Sequence, residues 1–116
     1  MNHTESLKMS QEARIVSSIR AARAALGWSQ PVLADKAGVS LVALARLEAG
    51  LVSPRLATIA KLKTAIEGAG IRIADDYPVG GYTLTATELA IQHAAQRTEV
   101  GTSAPSTEQK SQKNQG

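Results

Sequence analysis

Between Gly27 and Gly70 the sequence is cut repeatedly by glycine and by serine next to proline: Ser29-Gln30-Pro31, Gly38-Val39-Ser40, Gly50, Ser53-Pro54 and Gly70. Each of these is a helix stop or start. Glycine accepts the left-handed backbone that ends helices, serine caps free N–H groups, and proline is tolerated in a first turn where no donor is needed. The segments between the cuts carry apolar residues at helical spacing, so this stretch reads as short helices packed closely together.

The flanking segments fit the same reading. From Gln11 to Leu26 the residues Ile15, Ile19, Ala22 and Leu26 fall on one helical stripe, with Gly27 as its stop. Trp28 lies just before the Ser29 cap and Leu33 four residues after it, the spacing of a hydrophobic staple, which makes Trp28 a core anchor. Leu41 to Ala49 continues as a helix with Leu44, Leu47, Glu48 and Leu51 on one side and Val42, Ala45, Arg46 and Ala49 on the other. Ser53-Pro54 is expected to cap a fourth helix through Leu56, Ile59, Leu62 and Ile66 to about Ala69.

Beyond Gly70, Ile71-Arg72-Ile73 and Tyr82-Thr83-Leu84 alternate around a segment rich in turn formers, the pattern of a small β-hairpin. Thr85 and Glu88 have capping-box spacing ahead of Leu89, Ile91, Ala94 and Ala95, which suggests a last helix to about Arg97. The expected fold is all-α: a bundle of four to five helices with a small C-terminal hairpin. Its expected divisions are a flexible arm over 1–9, a helix-turn-helix domain over 10–70, an extension of hairpin and helix over 71–97 whose strand edges (Ile71 to Ile73, Tyr82 to Leu84) and last helix are candidate dimer surfaces, and a disordered tail over 98–116. That tail is too polar to offset its ordering entropy.

Composition narrows the function. Aromatic residues make up 3% of the chain and phenylalanine is absent, so Leu, Ile, Val and Ala must fill the core. Without cysteine there is neither a disulfide nor a thiolate metal site, and no apolar run suits a signal peptide or a membrane span; a cytoplasmic location is expected. Seven basic residues between Arg20 and Lys63 (Arg20, Arg23, Lys36, Arg46, Arg55, Lys61, Lys63) face two acidic ones, Asp35 and Glu48, in a chain whose net charge is +3. This is the footprint of a polyanion binder, although a solvated charged face has the same look.

Catalysis finds no support. His3 and His93 are far apart in sequence and lack evident partners. Asp75-Asp76 borders a turn containing Pro78, Gly80 and Gly81, where aspartate serves local backbone bonding. No metal or cofactor is expected.

Counted from Gln30, a small residue stands fifth (Ala34), glycine ninth (Gly38), and apolar residues tenth, fifteenth and eighteenth (Val39, Leu44, Leu47). Two helices crossing tightly at a glycine turn need this combination. With its Ser-Gln start, Leu-Ala pair, Gly-Val-Ser turn and closing Leu-Glu-x-Gly, the segment from Ile19 to Ile73 resembles the phage-repressor and Cro-like helix-turn-helix family, also called XRE.

The resemblance implies a lambda-repressor-like bundle and a transcriptional regulator, expected to be a repressor. It would bind double-stranded DNA as a homodimer on an operator with two half-sites, reading the major groove with Leu41 to Ala49. Leu41, Val42, Ala45 and Arg46 match the positions that meet base edges, although three of them are apolar where the family is commonly polar. Ser29, Gln30, Ser40 and Arg55 are the phosphate-contacting candidates, with Lys61 and Lys63 as weaker ones. Arg23 and Glu48 match a structural ion pair. A competing reading keeps the scaffold and makes it an antitoxin or protein-interaction module, with the apolar helix covered by a toxin, another protein or a second subunit.

Overall fold

A computed structural model describes residues 3–103, with side chains described over 10–96. Helix α1 spans His3–Ala25, α2 Gln30–Ala37, α3 Leu41–Glu48 and α4 Leu56–Gly68; strands β1 (Ile71–Asp75) and β2 (Tyr82–Ala86) precede α5, Glu88–Ser103. The four helices and the hairpin enclose one apolar core built from Ile19, Ala22, Leu26, Trp28, Leu33, Ala34, Leu44, Leu47, Ile59, Leu62, Ile66, Ala69 and Ile71, with Ala90 of α5 closing it. Each large aliphatic buried there contributes about 1.5 to 3 kcal/mol. Ser18, the buried polar residue of α1, donates its hydroxyl to the Ile15 carbonyl at 2.8 Å, which removes the cost of enclosing it.

The turn between α2 and α3 is built from local chemistry. Gly38 stands at φ 71°, where its N–H reaches the carbonyls of Ala34 and Asp35, and Val39 N bonds Ala34 O at 3.0 Å. Ser29 Oγ accepts from Val32 N and Ser40 Oγ from Ala43 N, so both helices start on capped donors. Trp28 and Leu33 sit in the same buried cluster on either side of the Ser29 cap.

In the antiparallel hairpin Ile71 faces Ala86, Ile73 faces Leu84, and Asp75 faces Tyr82. Its inner face lies on α1, where the Tyr82 and Ser17 hydroxyls are 2.8 Å apart. At the turn, Asp76 Oδ1 accepts from Gly80 N at 2.8 Å and from Arg14 Nη1 at 3.2 Å, which accounts for that carboxylate as turn chemistry.

Several expectations need correction. The first helix begins at His3 and not near Ser10, so the proposed arm over 1–9 has helical backbone from residue 3; Glu5, Leu7, Lys8 and Met9 are all good helix formers. Ser53 does not cap α4. That helix starts at Leu56 with Arg55 as its N-cap residue, no side chain bonds its first turn, and Ser53 Oγ donates instead to Glu12 Oε1 at 3.4 Å.

Thr85 is likewise a strand residue paired with Arg72, not part of a capping box. The residue before α5 is Thr87, whose N–H and hydroxyl both go to the Gly70 carbonyl. Helix α5 buries Ala90 while Leu89 and Ile91, expected on its inner stripe, are 45% and 61% exposed, and Leu51 lies exposed beyond the end of α3. The helix also runs on to Ser103, past the expected end at Arg97, because extending a formed helix adds a hydrogen bond per residue at little cost. The remainder of the expected tail lies outside the described residues.

Candidate nucleic-acid interface

The ends of three helices meet at one buried carboxylate. Glu48, the last residue of α3, is 6% exposed. Arg23 of α1 grips it with two hydrogen bonds, Nε to Oε2 at 2.9 Å and Nη2 to Oε1 at 2.8 Å, while its Nη1 donates to the Trp28 carbonyl at 3.0 Å. Gln30, at the first turn of α2, donates its amide to Glu48 Oε1 at 2.9 Å. Burial by itself would raise the Glu48 carboxyl, but the hydrogen bonds from Arg23 and Gln30 and the charges of Arg23 and Arg20 outweigh it, holding the group below its ordinary value. A planar guanidinium suits this two-point grip in a way a lysine would not.

With its C-terminal end fixed, α3 turns its other side to solvent. Val42 is 65% exposed, Leu41 and Arg46 are exposed, and Ala45 is half-buried. Ala43, which sequence reasoning left out of the outward set, is exposed as well. A concavity runs along this side, lined by residues that include Ser40, Val42, Ala43 and Arg46 from α3 and its cap, and Arg55 and Thr58 from the start of α4. The structure thus gathers four of the expected contact residues, Ser40, Val42, Arg46 and Arg55, around one surface.

Ser29 is exposed at the start of α2 and does not line that concavity; the Gln30 side chain is committed to Glu48. Lys63 is removed from the phosphate candidates by its ion pair with Asp75 of β1, and Lys61 stays exposed.

Thr58 is a residue the sequence could have revealed only with α4 correctly placed. Beginning the helix at Leu56 puts Leu56, Ala57 and Thr58 in its first turn, where backbone N–H groups lack intrahelical acceptors. No side chain caps them, so the positive end of the α4 dipole opens beside Arg55 and the concavity. Among the described residues no three His, Asp or Glu side chains come together as a metal site, and no helix is long and apolar enough to cross a membrane.

A short helix held at a fixed crossing by a glycine turn, with its outward side open, defines a DNA-binding helix-turn-helix module. Residues 19–66 match the family model described as helix-turn-helix, and this segment belongs to that family, in its XRE and Cro/C1 form. No curated protein and no solved structure matches the chain. A DNA-binding regulatory domain is therefore the function assigned to residues 19–66, while the hairpin and α5 lie outside the match.

Proposed function

We propose that the chain is a sequence-specific transcriptional repressor that lays α3 in the major groove and binds an operator of two half-sites as a homodimer. The observation that carries this reading is the shared surface of α3 and the α4 start: an exposed arginine and apolar side chains on one helix, beside an uncapped helix start and a second exposed arginine. Arg46 donates to guanine O6 and N7, and Leu41, Val42 and Ala45 pack on thymine methyl groups. Arg55, the first-turn N–H groups of α4, Ser40, Ser29 and the Gln30 N–H hold phosphates, supplying salt-dependent affinity without sequence information.

Selection of bound sequences from a random duplex pool tests binding, symmetry and half-site spacing together. On the selected site, Arg46→Ala is expected to cost about 1 to 3 kcal/mol and to relax preference at one base pair, whereas Arg55→Ala weakens all sequences evenly and lowers the salt slope by about 1. Unchanged affinity and preference in the Arg46 variant would take that residue off the reading face. Exposed Leu41 and Val42 favour a second reading, in which the outward side of α3 holds a protein. A complex insensitive to salt and indifferent to duplex DNA would select it.

A further inference from the structure

The hairpin leaves each strand with an outer edge, and the bonds at its two ends fix which groups lie there. Asp76 N donates to Gly81 O at 2.8 Å and Thr87 N to Gly70 O at 3.0 Å, both in the register that pairs Ile71 with Ala86. Antiparallel pairs alternate between bonded and non-bonded positions. Ala74 with Thr83 and Arg72 with Thr85 are therefore the bonded pairs, and the N–H and C=O of Tyr82, Leu84 and Ala86 point away from β1. Among the described residues, none of these groups has a backbone partner outside its own strand pair.

The two edges differ in chemistry. β1 carries Arg72 and Asp75, the latter paired with Lys63 of α4. β2 reads Tyr82-Thr83-Leu84-Thr85-Ala86, with no charge, no proline and no glycine. Edge strands of soluble proteins are normally guarded by one of these devices, because an unguarded edge is a template for another strand. The β2 edge has none.

We propose that β2 pairs antiparallel with β2 of a second copy, joining two hairpins into one four-stranded sheet. The strand is self-complementary about Leu84. A two-fold axis there sets Leu84 against the partner's Leu84 and Tyr82 against the partner's Ala86, so every outward N–H and C=O of those three residues finds an acceptor or donor. Thr83 then faces the partner's Thr85 on the outer surface, a favourable cross-strand pair, and no like charges meet. A five-residue strand alone is a small interface, and the exposed Leu89 and Ile91, just beyond its end on α5, supply apolar area next to the seam. This names the partner surface that the two-half-site reading requires, and rests on that reading only for its consequence on DNA.

The test uses the full chain. Light scattering across a dilution series is expected to give a dimer that dissociates on dilution. In amide exchange the Leu84 and Ala86 protons are protected in the dimer and free in the monomer, whereas Thr83 and Thr85 stay protected in both. Ala86→Pro deletes an outward N–H without touching the hairpin ladder and, with two copies meeting, weakens the dimer by about tenfold or more. Thr85→Lys, at an exposed position, guards the edge and acts in the same direction should the proline disturb folding, which circular dichroism reports.

A monomer at every concentration overturns the proposal. So does a dimer indifferent to both variants, or one whose Leu84 amide exchanges freely. The DNA reading is judged separately: the Ala86→Pro chain is expected to keep salt-dependent binding to a single half-site while losing cooperative binding to two. A wild-type chain that shifts no duplex at any salt sinks the DNA reading and leaves mass and exchange to decide the strand pairing.

Discussion

The helix-turn-helix segment and the extension after it close their helices by different means. In the first, Ser29 and Ser40 cap α2 and α3 locally, and one buried carboxylate takes hydrogen bonds from α1 and α2. In the second, Thr87 reaches back to Gly70, tying the start of α5 to the end of α4, and Leu89 and Ile91 of α5 face outward. The contrast separates a frame that fixes one helix surface from an extension that leaves Leu89, Ile91 and the outer strand edge exposed.

The sharpest way to break that comparison is to remove the guanidinium from the frame. Arg23→Ala leaves Glu48 enclosed without its counter-charge, and urea unfolding is expected to show a loss of about 3 to 5 kcal/mol. A loss below about 1 kcal/mol would mean the carboxylate is not the frame's anchor. The same pair sets a pH dependence. Because the folded pKa of Glu48 lies below its unfolded value, its stabilisation is complete above the ordinary carboxylate range, near 4.3, and is lost as pH falls through the folded value. Glu48→Gln should flatten that part of the stability profile, and a profile with unchanged slope would assign it to other groups.

Next in size is Gly70→Ala. At φ 102° a side chain is strained, and its Cβ would lie 2.7 Å from Ala90 N and collide with the Thr87 hydroxyl, so a cost of about 3 kcal/mol is expected from strain and overpacking together. Gly38→Ala is the milder partner experiment. Its φ of 71° is also left-handed, but nothing lies within 4 Å of the added Cβ, leaving a backbone cost of about 1 to 2 kcal/mol. Thermal unfolding of the two variants compares them directly, and equal losses would show that the α4–α5 joint is no tighter than the recognition turn.

The two regions also differed in how far the sequence could be read. Gly38, Ser40, Ala34 and Leu44 each answer a local demand of the turn, so the domain and its outward helix were legible from spacing alone. Ser53 looked like a cap because proline follows it where a first helical residue would stand, and Thr85 because Glu88 lies three residues on, the spacing of a capping box. Both were drawn off by partners distant in sequence, Glu12 in one case and the strand ladder in the other. Leu89 and Ile91 have helical spacing, but the contact of α5 with the core is made by the small side chain of Ala90, which periodicity weights least. The hydrogen bond from the Gln30 amide to Glu48 was unreadable because it links residues whose neighbourhood exists only after α3 folds back.

The doubly bonded carbonyl of Gly70 has a practical side. With the hairpin clasped at its base and its turn tied to α1 by Asp76 and Arg14, Val79, 92% exposed at the tip, is a place to graft a fluorophore or an epitope. Such a label would ride at the far end of the ribbon while leaving both the outward side of α3 and the clasp intact.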